Sequence, residues 1–162
     1  MSAPLSTSMY ESPVGRLTLV ASETGLRSVG WSEVATDTGN RPGRNAVIDR
    51  ARDQLDRYFD GRLRDFDLPL EPIGTDFQLS AWNVLRSIPY GSTMSYGEQA
   101  AALGDPNKAR AVGSANGRNP LAIVVPCHRV IGSSGRLTGF SGGTDAKRFL
   151  LDLERRNVPG SN

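Results

Sequence analysis

A chain of 162 residues with 38% apolar residues can bury a core without disulfides, and no stretch reaches the ~18 apolar residues that a membrane-spanning helix needs. One cysteine excludes an internal disulfide, and with a single histidine it cannot close the usual four-ligand structural zinc site, so metal is expected only if carboxylates supply most ligands, and no cofactor is implied. The segment from Met1 to Tyr10 has no basic region followed by a long apolar run, so the chain is expected to be cytoplasmic, with no membrane partner.

In chain order, Ser12-Pro13-Val14-Gly15 reads as a hairpin turn, and the alternating Leu17, Leu19 and Ala21 after it as a half-buried strand. A turn at Glu23-Thr24-Gly25 leads into a third short strand over Leu26 to Trp31, followed by polar loop from Ser32 to Asn45. Val47, Ile48, Ala51, Leu55, Tyr58 and Phe59 recur at steps of three and four, which predicts a helix stopped at Gly61. Proline-punctuated residues 68–74 cannot continue it, so the domain boundary is expected there, giving domains 1–73 and 74–162. Thr75 is then an N-cap, with Phe77, Ala81, Trp82, Leu85 and Ile88 as the apolar stripe of a helix ended by Pro89-Tyr90-Gly91.

Two short helical patterns, Ser95 to Leu103 and Asn107 to Asn116, are separated by Gly104-Asp105-Pro106, the layout of a helix-turn-helix. In the second, Ala109, Ala111, Gly113, Ser114 and Ala115 make a face almost without side chains, on which Lys108 and Arg110 stand out. Such a face suits close approach to nucleic acid, and equally the packing of two protein helices. Leu121 to Val125 reads as a buried strand ending at Pro126, and Lys147 to Glu154 as a closing helix.

The net charge of +2 hides a segregation: no acid occurs between Pro106 and Thr144, where Lys108, Arg110, Arg118, Arg129 and Arg136 lie. Either a solvated basic face or a polyanion partner accounts for it. Inside that stretch the only cysteine and the only histidine are adjacent, in Pro126-Cys127-His128-Arg129-Val130. Adjacency alone is a weak signal, because a lone cysteine is usually an inert small hydrophobe, and His128 would reach the thiol only through a turn or a bridging water.

Pro126-Cys127-His128-Arg129-Val130-Ile131-Gly132 resembles the active-site motif of the O6-alkylguanine-DNA alkyltransferases. The resemblance extends from Gly74 to Glu154: Gly74-Thr75-Asp76-Phe77-Gln78 with Trp82, Ile88-Pro89-Tyr90-Gly91, Ser95-Tyr96-Gly97-Glu98, Ala109-Arg110-Ala111-Val112-Gly113, Asn119-Pro120, Ser141-Gly142-Gly143, and Leu150-Leu151 before Glu154. Ser12-Pro13-Val14-Gly15 and Trp31 carry it more weakly into the first half. It implies an α+β protein: a small N-terminal antiparallel sheet with helices in a ribonuclease-H-like arrangement, then a mainly helical, winged-helix-like domain with the helix-turn-helix and the active-site segment.

The same resemblance implies DNA repair by direct reversal, with an alkyl group moved irreversibly from O6-alkylguanine in duplex DNA to Cys127, once per molecule. His128 would take the thiol proton through a water, Glu154 would orient the histidine, and surrounding arginines would add favourable potential. Tyr96 would donate to the N3 edge of the base, the Ser141 amide would bond O6, and the Cys127 and Val130 carbonyls would accept from the exocyclic amine. A base must leave the stack to react; Arg110 would fill the space, with Lys108, Ala109, Ala111, Gly113, Ser114 and Arg118 along the minor groove. Asn119 would be the hinge between helix-turn-helix and active-site segment, while Phe140, Asn116 and Ala122 would line the pocket. Phe140 stands where many relatives carry tyrosine, so that hydroxyl is absent and only the aromatic wall remains.

The expected partner is duplex DNA containing O6-alkylguanine, with O4-alkylthymine as a second candidate lesion. The chain is expected to be a monomer in solution, cooperative binding on DNA being an open alternative. Two rival functions are a module that binds alkylated DNA without repairing it and a Cys-His-Glu hydrolase. The first is disfavoured by the presence of Cys127, and the second leaves Arg110 and the helix-turn-helix without a purpose.

Overall fold

A computed structural model of the chain describes residues 5–31, 45–132, 134–135, 137, 140 and 142–157. The chain divides into two compact units, Met1–Ile73 and Gly74–Asn162.

In the first unit, β1 (Ser6–Ser12), β2 (Gly15–Ala21) and β3 (Leu26–Gly30) form an antiparallel sheet in that order. Ser12 pairs with Gly15 across the expected hairpin, and its hydroxyl bonds both the Val14 N–H and the Gly15 carbonyl. Helix α1 (Ala46–Phe59) starts at Asn45, whose side chain accepts from the Ile48 N–H and donates to the Ser22 carbonyl. Its buried face, including Val47, Ile48, Ala51, Leu55 and Tyr58, packs against β1 and β2, and the Tyr10 hydroxyl donates to Asp56 at 2.6 Å. The expected loop at 32–44 lies outside the described residues.

β2 corrects the expectation of a half-buried strand, because Thr18 and Val20 are buried along with Leu17, Leu19 and Ala21. As the middle strand it is flanked on its second face too: Thr18 lies between Met9 and Gly30, and Val20 between Thr7 and Ser28. Alternation fails as a guide to exposure wherever neighbours on both sides cover the outer face. The proline-rich segment after α1 is pinned by Leu70, which bridges Leu26, with Leu26 N–H donating to the Pro69 carbonyl and Glu71 N–H to the Leu26 carbonyl.

In the second unit, α2 (Asp76–Arg86) begins with a capping box: Thr75 Oγ1 accepts from the Gln78 N–H while Gln78 Oε1 accepts from the Thr75 N–H. The same device, Ser95 with Glu98, starts α3 (Tyr96–Ala102). Gly104, at φ +99°, turns the chain after α3, and Asp105 caps a 3₁₀ turn at Pro106–Lys108 that leads into α4 (Ala109–Gly117). Trp82 Nε1 donates to the Ala115 carbonyl at 2.8 Å, fixing α4 against α2. Helix α5 (Thr144–Arg156) closes the unit, burying Ala146, Leu150, Leu151 and Leu153.

Leu121 to Val125 is buried but is not the expected strand. It is a compact turn, with Val125 N–H donating to the Leu121 carbonyl and Ile123 at φ +73°. The cause is Asn119, whose Oδ1 accepts from the Leu121 N–H and whose Nδ2 donates to the Val125 carbonyl, folding the run back on itself. An apolar run announces burial, and its side-chain period cannot say which backbone shape is buried. Strands β4 (Met94–Ser95) and β5 (Val130–Ile131), both too short to read from pattern, pair in parallel.

Gly74 illustrates the packing of this unit: a Cβ there would lie 2.5 Å from Trp82 Cη2 and 2.9 Å from Gln78 Oε1. Because Trp82 is buried and tied to α4, Gly74→Ala is expected to lower stability by about 1–3 kcal/mol, read as a lower urea midpoint at unchanged slope. An unchanged midpoint would show that the indole has room to move.

Candidate active site

Pro126 ends the Asn119-closed turn, and the next three residues, Cys127–Arg129, form a single 3₁₀ turn that is buried throughout. This turn supplies the change of direction that an extended chain would lack: successive side chains can enter one interior. β5 follows directly and pairs with β4, which ends where Tyr96 begins α3, so the turn and Tyr96 are joined by a short ladder. The Cys127 carbonyl accepts from the Val130 N–H, leaving it one further lone pair for another donor.

His128 and Glu154 are sealed from solvent, and His128 Nε2 lies 2.7 Å from Glu154 Oε2. Arg129 grips the same carboxylate with Nε at 2.8 Å from Oε1 and Nη2 at 3.0 Å from Oε2. The Gly91 N–H approaches Oε1 at 3.5 Å, and Arg129 Nη1 donates to the Ile88 carbonyl at 2.7 Å. Burial by itself pushes the Glu154 carboxyl up, but the hydrogen bond from His128 and the Arg129 guanidinium hold it down at about 2. With the carboxylate ionised, Nε2 of the neutral ring is the donor, and His128 Nδ1, which has no protein partner, carries the lone pair.

Burial pushes the Cys127 thiol above its ordinary value, opposed by a hydrogen bond from Asn119, by the charge of Lys147 and by the backbone of its own turn. Lys147 is the cation whose charge opposes this shift, whereas Arg129, one of the arginines expected to add potential, is engaged with Glu154. Lys147 is itself almost fully buried, which lowers its affinity for a proton, while a negative charge on Cys127 would raise it. Its Nζ sits 5.9 Å from the centre of the Tyr96 ring. Lys147 and Arg129 were not among the expected site residues. Lys147 had a signal, since it lies two helical turns before Glu154 and so on the same face of α5.

Tyr96 is half-buried, and Gly113 of α4 backs onto its ring, where a Cβ would make an ordinary 3.6 Å contact. Of the residues expected to meet DNA, Lys108, Arg110, Ala111, Ser114 and Arg118 are exposed, and Ala109 and Gly113 are half-buried. Lys108 Nζ lies 5.7 Å from the centre of the Phe77 ring. Among the pocket residues, Val130 and Ala122 are buried in the segments flanking the cysteine, and Phe140 is half-buried with its carbonyl accepting from the Gly143 N–H. Ser141 and Arg136 lie outside the described residues.

The Asn116 side chain is buried between α3 and α4, exchanging two hydrogen bonds with Gln99, 2.7 and 2.9 Å, while Gln99 also donates to the Ala81 carbonyl. An amide buried by helix packing must find its partners there, so its side chain serves the helix-turn-helix interior. Among the described residues no cluster of metal-ligating side chains occurs, and no helix is long and apolar enough to cross a membrane.

Residues 76–156 match the family described as 6-O-methylguanine DNA methyltransferase, DNA binding domain, and residues 5–72 match the ribonuclease-like domain of the same family. The chain is 51% identical over 154 residues to the methylated-DNA–protein-cysteine methyltransferase of Mycolicibacterium paratuberculosis, covering 93% of both. It is 48% identical over 149 residues to the protein of that name from Methanosarcina acetivorans, covering 90% of this chain and 96% of the relative. A crystal structure of Mycobacterium tuberculosis OGT in complex with DNA superposes with a TM-score of 0.86 at 48% identity, over 98% of this chain and 97% of that one.

The two buried partners give acid sensitivity of one sign. His128 titrates below its ordinary 6.5 because burial disfavours the cation, so the unfolded chain takes up that proton first and stability falls as pH drops below about 6.5. Glu154 contributes stability that is complete above its ordinary 4.5 and is lost as pH falls towards about 2. Urea midpoints measured from neutral pH downward should decline through both windows, with the lower decline reduced in Glu154→Gln. A midpoint that rises on acidification would contradict this assignment.

Proposed function

The chain belongs to the 6-O-methylguanine DNA methyltransferase family and repairs DNA by direct reversal as a methylated-DNA–protein-cysteine methyltransferase; from that premise we propose that Cys127 is the acceptor and that O6-alkylguanine in duplex DNA is the donor. The observation that carries this assignment is the single cysteine, held in a buried turn whose next residue is a histidine bonded to a sealed carboxylate.

The resting sulfur is a buried thiol, so its proton must leave as the alkyl carbon arrives. His128 takes that proton at Nδ1 through a water, and Glu154 stabilises the imidazolium that forms. Lys147 favours the developing thiolate. In the displacement an S–C bond forms as the C–O6 bond breaks, and the thiol proton ends on the departing guanine, giving S-alkyl-Cys127 and restored guanine. Tyr96 donates to the base and so meets the charge that develops on the leaving group. A thioether does not hydrolyse readily, so each molecule reacts once.

A base stacked in the duplex cannot reach a buried sulfur and has to be turned out. The exposed side of α4 suits that task, because Ala111 and Ser114 are small and Arg110 stands free of ion pairs and hydrogen bonds among the described residues. Arg110 fills the vacated position in the stack. Asn119 joins the end of α4 to the active-site turn through its two backbone hydrogen bonds, and thereby couples the two.

Incubation with a duplex containing O6-methylguanine should add one methylene to the protein, saturating at one per molecule and mapping to Cys127. Cys127→Ser should take none. Tight binding at unchanged mass would favour a binding module, and continued turnover a hydrolase. Arg110→Ala should slow repair of duplex DNA on the order of ten- to a hundred-fold, in keeping with a few kcal/mol of unstacking, and affect a free alkylated base far less. Equal losses on both substrates would remove the flipping role.

A further inference from the structure

Alkyl transfer through Cys127, His128 and Glu154 leaves one member of the same buried cluster without a role. Arg129 is as buried as its neighbours and makes three strong hydrogen bonds, two to Glu154 and one to the Ile88 carbonyl, with its guanidinium carbon 5.6 Å from the centre of the Tyr90 ring. The Ile88-Pro89-Tyr90-Gly91 turn thus supplies a carbonyl and an aromatic face to the guanidinium, and the Gly91 amide to the carboxylate. A motif prominent in the sequence becomes the seat of one side chain.

The electrostatic consequence is specific. A lone carboxylate beside an imidazole favours the imidazolium, and a base that is already protonated cannot receive the thiol proton. Here Oε2 of Glu154 is shared between His128 Nε2 and Arg129 Nη2, and the guanidinium does not give up its proton. The charge on Glu154 is therefore already compensated when it meets the histidine. The charged and titratable groups around His128 are Glu154 and Lys147 from α5 and Cys127 and Arg129 from its own turn. Of the permanent charges only Glu154 favours the cation, while Arg129, Lys147 and burial oppose it.

We propose that Arg129 is a positioning residue for the transfer: by neutralising Glu154 it holds His128 as the uncharged imidazole, proton on Nε2 and lone pair on Nδ1, ready to accept from Cys127. This deepens the assignment of His128 as the base and rests on it for its functional meaning. A purely structural Arg129 would support the fold without altering how His128 titrates.

His128 is the sole histidine of the chain, so NMR of ¹⁵N-histidine-labelled protein reads its tautomer and protonation without ambiguity. Between about pH 5 and 8 the wild type should show the neutral Nε2–H form at neutral pH. Arg129→Met should raise the His128 midpoint by about one pH unit or more, and Arg129→Lys, which keeps the charge but loses the fork, by less. The acid limb of single-turnover S-methylation should move to higher pH in the same order. Folded Arg129→Lys and Arg129→Met that titrate like the wild type would overturn the proposal, as would a resting imidazolium in the wild type. If Arg129→Met does not fold, Arg129→Lys decides alone. A wild type that takes no methyl from O6-methylguanine while the His128 midpoint still follows Arg129 would defeat the alkyl-transfer assignment, and with it the role of Arg129 in transfer, and leave only the control of His128 by Arg129 standing.

Discussion

A carboxylate without access to water must be met by donors, and Glu154, carried on α5, is met from two other segments at once: the Cys127–Arg129 turn and the turn after α2. Isolated, such a charge would be costly to bury. Satisfying it brings His128, Arg129 and the Gly91 amide to fixed positions and leaves one ring nitrogen facing the interior. Buried ion pairs of this kind add little net stability compared with apolar packing, but removing Arg129 or Glu154 alone would leave the other's charge buried without its counter-charge.

That cluster orders the chemistry around it. Cys127 leads the same turn, so the position of the sulfur follows from the anchoring of the two residues behind it. On its other side the cysteine follows a turn shaped by Asn119, in which Ile123 holds a left-handed conformation that a β-branched residue adopts only under constraint. The sulfur is thus fixed from both directions along the chain. Burial pushes its thiol above the ordinary value, and the charge of Lys147 opposes that shift.

The helix-turn-helix meets this site through Tyr96. β4 pairs with β5 immediately before α3, and α4 turns Gly113 onto the Tyr96 ring, so the exposed face of α4 and the Cys127 sulfur belong to one packed unit. Gln99 and Asn116 lock α3 to α4 from inside.

Periodicity was sufficient to locate α1, α2 and α5, because an apolar stripe is a local property, and Thr75 could be read as the N-cap of α2; Asn45 and Ser95, not read as caps, likewise bond the backbone three residues ahead. The uniqueness of Cys127 and His128, their motif and the acid-free stretch are likewise properties of the sequence alone, and the family they resemble is the one the chain belongs to. Tertiary structure decided what depends on partners far apart in the chain. It buried both faces of β2, folded Leu121 to Val125 into a turn through the Asn119 amide, withdrew Asn116 into the α3–α4 interface, and joined Arg129 to Glu154 across 25 positions. A residue's type states which bonds it needs, whereas only the packed chain determines which neighbour supplies them.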